Sequence, residues 1–172
     1  MQNVAVAVHT QEEVLTGVVS LSPGKRLSDF LNSDFTKQSD SSGMFLKLTD
    51  VTIDRGDGIK GRAGTIYINK EAIQMLRTLE NDAARGVGAK DGPKQRPFVH
   101  KLPVRSMMYL LGYELNGYLH CTNEQEIPRL LAQELAFLPC TDTKIRSVSE
   151  DYSWDAGFVA VNRRQICSLQ CV

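Results

Sequence analysis

Phe45-Leu46-Lys47-Leu48-Thr49-Asp50 recurs 92 residues later as Phe137-Leu138-Pro139-Cys140-Thr141-Asp142. Self-similarity of this kind decides the fold, because each copy must then bury the same apolar face. Toward the N-terminus a shift of 100 residues sets Val4 on Val104, Leu15 on Leu115 and Gly17 on Gly117, and Leu27, Phe30 and Leu31 on Ile127, Leu130 and Leu131. Toward the C-terminus a shift of 93 pairs Gly64 with Gly157, Ile68-Asn69-Lys70 with Val161-Asn162-Arg163, Ile73 with Ile166 and Leu76 with Leu169. The shift changes only twice, each time in a polar, Gly- or Ser-rich stretch where length changes are tolerated. The chain therefore reads as two diverged copies, residues 1–76 and 104–172, joined by a linker over 77–103.

Each copy has the same grammar. Val4, Val6 and Val8 alternate with small or polar residues, as a half-buried strand requires. Val14 to Ser20 is a second strand, with Gly17 marking a bend or a close backbone approach. Leu27, Phe30 and Leu31 fall on one face of a short helix, whose counterpart starts near Ile127 with Pro128 in its first turn. Phe45 to Ile53 and Gly64 to Ile68 are further strands, and Asn69-Lys70-Glu71-Ala72 turns a corner into a last strand, Ile73 to Leu76. Five short strands with one apolar face must curl or pack to cover it. The expected fold class is mainly β with short helices: a tandem repeat of two small five-stranded barrel-like units.

Charge narrows the partners. Lys plus Arg and Asp plus Glu both number 20, so no global field gathers nucleic acid or anionic membrane. The linker is basic, six Lys/Arg against three Asp/Glu, and its Gly86-to-Pro93 stretch is a flexible connection without apolar period. No basic start with an apolar core marks a signal peptide, and no apolar run approaches the ~18 residues of a membrane span. These features imply a cytoplasmic protein.

The segment Ile68-Asn69-Lys70-Glu71-Ala72-Ile73-Gln74-Met75-Leu76 resembles the second signature of Sm-like small barrels: an apolar strand, a two-residue corner, then a short last strand. Gly17-Val18-Val19 followed by Phe45 to Val51 looks like the first signature, and SH3-like barrels share the pattern. Two departures stand out. The corner is Asn-Lys or Asn-Arg instead of Arg-Gly, and the helix with the polar insert Ser33 to Gly43 occupies the place of a short RNA-contacting loop. The string Arg26-Leu27-Ser28-Asp29-Phe30-Leu31-Asn32, with Phe45-Leu46-Lys47-Leu48-Thr49-Asp50 and Asn69-Lys70, also looks like small bacterial domains of uncharacterised function. That resemblance implies a bacterial origin.

Catalytic and metal chemistry find little support. Cys121, Cys140 and Cys167 are widely spaced and form no Cys-x-x-Cys knuckle. Cys121 and Cys140 replace Leu21 and Leu48, which makes them core thiols. His120 beside Cys121 points to the opposite strand face, so no Cys–His nucleophile forms there. Residues 86–92 lack the spacing of a phosphate loop, and Asp54-Arg55-Gly56-Asp57-Gly58 reads as a hairpin turn, not a calcium loop. No metal, no cofactor and no enzymatic activity are expected.

Two surfaces remain. Asn69 and Asn162 make corners, and the cations beside them, Lys70, Arg163 and Arg164, are candidates for holding an anion or RNA phosphate. Tyr152 and Trp154 sit among acids at a hairpin tip, either as an anchor for a protein partner or folded back on their own unit. The expected function is a binding or assembly module working by protein–protein contact or self-association, the alternative being an Sm-like RNA-binding protein that uses the Asn-basic corners.

Overall fold

A computed structural model describes residues 1–32, 41–79, 101–122, 127–133 and 135–172. In the first half, β1 (Gln2–His9), β2 (Val14–Leu21), α1 (Leu27–Asn32), β3 (Phe45–Asp54), β4 (Lys60–Asn69) and β5 (Met75–Thr78) follow in order. In the second, β6 (Leu102–Leu110), β7 (Tyr113–Cys121), α2 (Ile127–Ala132), β8 (Phe137–Ser147), β9 (Ser153–Asn162) and β10 (Ser168–Cys171) do the same. All ten strands join one antiparallel sheet in the order β10-β6-β7-β8-β9-β5-β1-β2-β3-β4. The fold is mainly β, as expected. The expectation of two small barrels takes another form: the sheet runs through both halves and, among the described residues, ends in two unpaired edge strands, β4 and β10.

The order within β5-β1-β2-β3-β4 is that within β10-β6-β7-β8-β9. Local features match as well. The β2–β3 pairing shifts register between Thr16 and Val18, and the β7–β8 pairing shifts between Asn116 and Tyr118. A Cβ on Gly17 would lie 2.7 Å from the Thr49 carbonyl oxygen, which is why the bulge needs glycine. The extra residue of each bulge is on β3 or β8, where Asp50 and Asp142 adopt φ of 52° and 47°, a left-handed conformation that Asp tolerates better than most residues.

Asn69 and Asn162 each initiate a 3-10 turn, Lys70–Ala72 and Arg163–Gln165, by accepting the backbone N–H of Glu71 or Arg164. Ile73 closes the first turn, so β5 starts two residues later than the alternation predicts and takes in Arg77 and Thr78. Leu102 and Pro103 likewise begin β6. These four residues, assigned to the linker from sequence, are strand. The rest of the linker, residues 80–100, and residues 33–40 of the polar insert lie outside the described residues.

Two apolar cores result, and they exchange residues. The first, built on Val4, Val6, Leu15, Leu46 and Leu48, also takes Phe137, Phe158 and Ala160 from the second half. The second, built on Val104, Leu115, Leu119 and Leu138, takes Met75 from the first. Strand β9 is thus covered on both faces, which explains its continuous apolar run Phe158-Val159-Ala160-Val161.

Candidate functional site

The seam between the halves is the β5–β9 pairing, with Met75 opposite Val161, Leu76 opposite Ala160 and Arg77 opposite Val159. The Asn162 backbone N–H donates to the Gln74 carbonyl at 2.9 Å, and its buried side-chain amide donates to Ile73 O at 2.8 Å. Glu71 meets Arg164 across the seam at 3.0 Å in an exposed pair, and Gln165 Nε2 donates to Glu71 O. Asn32, at the end of α1, brackets the start of β8: its Nδ2 donates to Phe137 O and its Oδ1 accepts Phe137 N–H. Gln74 is fully buried; its Nε2 donates to Leu111 O, while its Oε1 finds no partner among the described residues.

One end of the seam carries a cluster that local sequence reading misses. Arg77 Nε donates at 3.2 Å to His9 Nε2, which must therefore be the unprotonated nitrogen. The ring hydrogen sits on Nδ1, 3.2 Å from the Tyr113 hydroxyl. Burial, reinforced by the Arg77 charge, holds the His9 pKa down at about 3. Burial also lowers Arg77 and raises Tyr113, with Glu150 adding to the latter. Trp154 completes the cluster, edge-on to His9 at 5.5 Å and under the Arg77 guanidinium at 5.3 Å. It is folded back as an internal brace, whereas Tyr152 is 60% exposed beside it. The two residues grouped from sequence as one hairpin tip thus have different roles.

The Asn-basic corners are likewise divided. Lys70 is buried at 1% exposure, with Nζ 3.5 Å from Leu31 O at the end of α1 and 5.7 Å from the Phe30 ring. Arg163 does the same in the second half, its Nη1 donating to Leu131 O and Gln133 O at the end of α2. Both cations serve carbonyls that a helix end leaves without intrahelical donors. Arg164 is exposed and paired with Glu71. Asn162 is buried in the seam, but Asn69 is only partly buried at the β4 edge. The structure does not bring the five residues together as one anion pocket.

The β4 edge is the other feature. A groove of about 470 Å³ beside it is lined by residues 10–13 and 66–69, Leu15, Ala72 and Gln165. Tyr67, which lines it, is 64% exposed, and Met44 and Phe45, at the start of the neighbouring strand β3, are 49% and 43% exposed; exposed apolar residues of this kind mark contact surfaces. Beyond this edge no described strand pairs with β4.

Cys121 and Cys140 are buried, like the leucines at 21 and 48, and burial pushes the Cys140 thiol up to about 11. Cys167 and Cys171 are exposed. His120 Nε2 lies 2.8 Å from Thr141 Oγ1, and burial lowers its pKa. Among the described residues no group of three or more His, Cys, Asp or Glu is placed to hold a metal ion. No helix among them is long and apolar enough to cross a membrane.

The molecule is therefore an antiparallel β-sheet protein whose distinguishing sites are a polar–aromatic seam and a β4 edge that no described strand pairs. No protein-family profile, curated protein or solved structure matches the chain.

Proposed function

We propose that this protein is a non-enzymatic tandem-repeat module that works through protein–protein contact, by adding strands at the edges of its sheet. The observation that carries the reading is the β4 edge, which no described strand pairs, with Tyr67 exposed beside a groove of mixed polar and apolar lining and Phe45 exposed on the neighbouring strand. An exposed strand presents a row of backbone donors and acceptors, and a neighbouring strand satisfies them while side-chain pockets give specificity. His9, whose pKa burial and Arg77 hold well down, has both ring nitrogens engaged and stays neutral at physiological pH, which favours a structural role over proton transfer.

The Sm-like RNA-binding alternative rests on the Asn-basic corners. Lys70 and Arg163 are occupied with helix-end carbonyls and Arg164 with Glu71, so these corners offer few unengaged cations to phosphates. RNA affinity grows with the number of phosphates neutralised. Light scattering with absorbance at 260 and 280 nm, followed by RNA titration over a salt series, separates the two. The contact reading expects nucleic-acid-free protein and weak RNA retention that Arg164→Ala leaves unchanged. Steep, salt-sensitive RNA binding lost in Arg164→Ala would replace it with the RNA reading.

A further inference from the structure

The β5–β9 seam contains the instructions for a second seam. Position by position, with the shift of 93, β10 stands where β5 stands and β4 stands where β9 stands. One such pair of edges is joined inside the chain, and the other pair is left open at the two ends of the sheet. The contact is head to tail, so it can be repeated from one chain to the next without using the joined edges.

The residues that the inner seam buries are the ones that the open edge exposes. Phe137 and Ala160 are each 1% exposed because the first half covers them. Their counterparts on the open edge are Phe45 and Tyr67, at 43% and 64%. On the opposite edge Leu76 is fully buried in the seam, while its counterpart Leu169 is only partly covered. Leu15, Ile66 and Ile68 are among the residues that line the groove beside β4. Their counterparts Leu115, Val159 and Val161 belong to the core into which Met75 inserts.

Polar groups fit the same repetition. The Asn162 amide donates to Ile73 O, and its counterpart Asn69 has its Oδ1 engaged by Glu71 N–H but no acceptor for its amide among the described residues. Ile166 is the counterpart of Ile73, so its carbonyl on a second copy is the acceptor that the repetition would offer this amide. Glu71 and Arg164 are themselves counterparts, so a second seam brings Arg164 of one copy toward Glu71 of the next, again opposite in sign.

We infer that the partner of the β4 edge is a second copy of this chain, whose β10 adds to β4 in the register of β5 on β9. This identification rests on the protein-contact reading and makes it specific. Ser168 then lies opposite Ile68, Leu169 opposite Tyr67 and Gln170 opposite Ile66, with residues 166–169 seated in the groove and Phe45 and Tyr67 covered. Whether repetition closes into a ring or continues as a filament depends on the rotation per seam.

Cross-linking tests the register. In the inner seam Asn162 donates directly to its opposite number, so the Arg77–Val159 position is a non-hydrogen-bonded pair, with Cα atoms about 4.5 Å apart, within reach of a disulfide. The corresponding residues are Gln170 and Ile66. With Cys167 and Cys171 changed to Ser, an Ile66→Cys chain mixed with a Gln170→Cys chain should oxidise to a linked pair. The rate should exceed that of either chain alone by at least about tenfold. Tyr67→Lys, at an exposed position, should reduce the light-scattering mass to the 19.1 kDa monomer with circular dichroism unchanged. A monomeric wild-type protein across a concentration series overturns the inference. Rapid linkage of Ile66→Cys chains to one another also overturns it, because that signals a two-fold β4–β4 contact. Oligomers that never link 66 to 170 overturn the register while leaving the protein-contact reading in place, and salt-steep RNA binding by a monomer removes both.

Discussion

His9 is a neutral base locked between an arginine and a tyrosine, and this makes the protein's stability depend on pH in a predictable direction. In the unfolded chain an imidazole titrates near 6.5, whereas in the fold burial and Arg77 hold it at about 3. The unfolded state therefore takes up a proton that the folded state refuses. The contribution is complete above pH 6.5 and is lost progressively as the pH falls toward 3. Urea unfolding at pH 7.5 and 5 should show wild-type protein losing about 2 kcal/mol more than His9→Gln, from ~1.4 kcal/mol per unit below the unfolded pKa. An equal pH slope in the two proteins would show that His9 is not the buried group described here. Gly17 offers a second residue-scale test: Gly17→Ala pushes a Cβ against the Thr49 carbonyl and Leu48, and should cost roughly 1–3 kcal/mol by the same denaturation measurement. The need for glycine at 17 and 117 was legible in the sequence because both sit mid-strand in matching positions. The role of His9 was not, since its partners are 68 and 104 residues away and leave no local pattern.

Strands β4 and β9 show how much of an element's setting a sequence records. Gly64 to Ile68 was expected as a strand, and the repeat placed its counterpart in the second half; both strands start four residues earlier than that reading, at Lys60 and Ser153. Their difference was also written there: Phe158-Val159-Ala160-Val161 is apolar on both faces, whereas Thr65-Ile66-Tyr67-Ile68 keeps one face mixed. The continuous run marks a strand covered on both sides, here by the other half. Trp154 was harder to place, because its acidic neighbours make the hairpin look solvated while the indole itself turns inward onto His9 and Arg77. Trp154→Ala should therefore destabilise the fold by about 2–4 kcal/mol, against less than about 1 kcal/mol for exposed Tyr152→Ala. Equal, small losses would put the indole back at the surface. The two Asn corners provide a matched pair. Asn162→Ala leaves the Ile73 and Lys70 carbonyls in the seam without their donor and should cost about 1–3 kcal/mol more than Asn69→Ala in the monomer.

At the scale of the whole chain, the halves cannot be independent. Phe137, Phe158 and Ala160 complete the first core and Met75 completes the second, so either half alone exposes the apolar surface that the other covers. Two separate barrels on a flexible tether would melt as two units, each with its own midpoint. A shared sheet with exchanged core residues should unfold in one step, with calorimetric and van't Hoff enthalpies in agreement. The covalent connection then matters less than the seam. A protease site inserted between residues 86 and 92 allows the chain to be cut after folding, leaving β5 and β9 on different pieces. The pieces should co-elute on gel filtration at the position of the uncut protein and separate only when denatured. Trp154→Ala and Asn162→Ala, which weaken the seam from its two ends, should lower the denaturant concentration at which they part. If the cut pieces separate at once under native conditions, the β5–β9 pairing is too weak to hold the halves together. It would then also be too weak a template for joining one chain to the next.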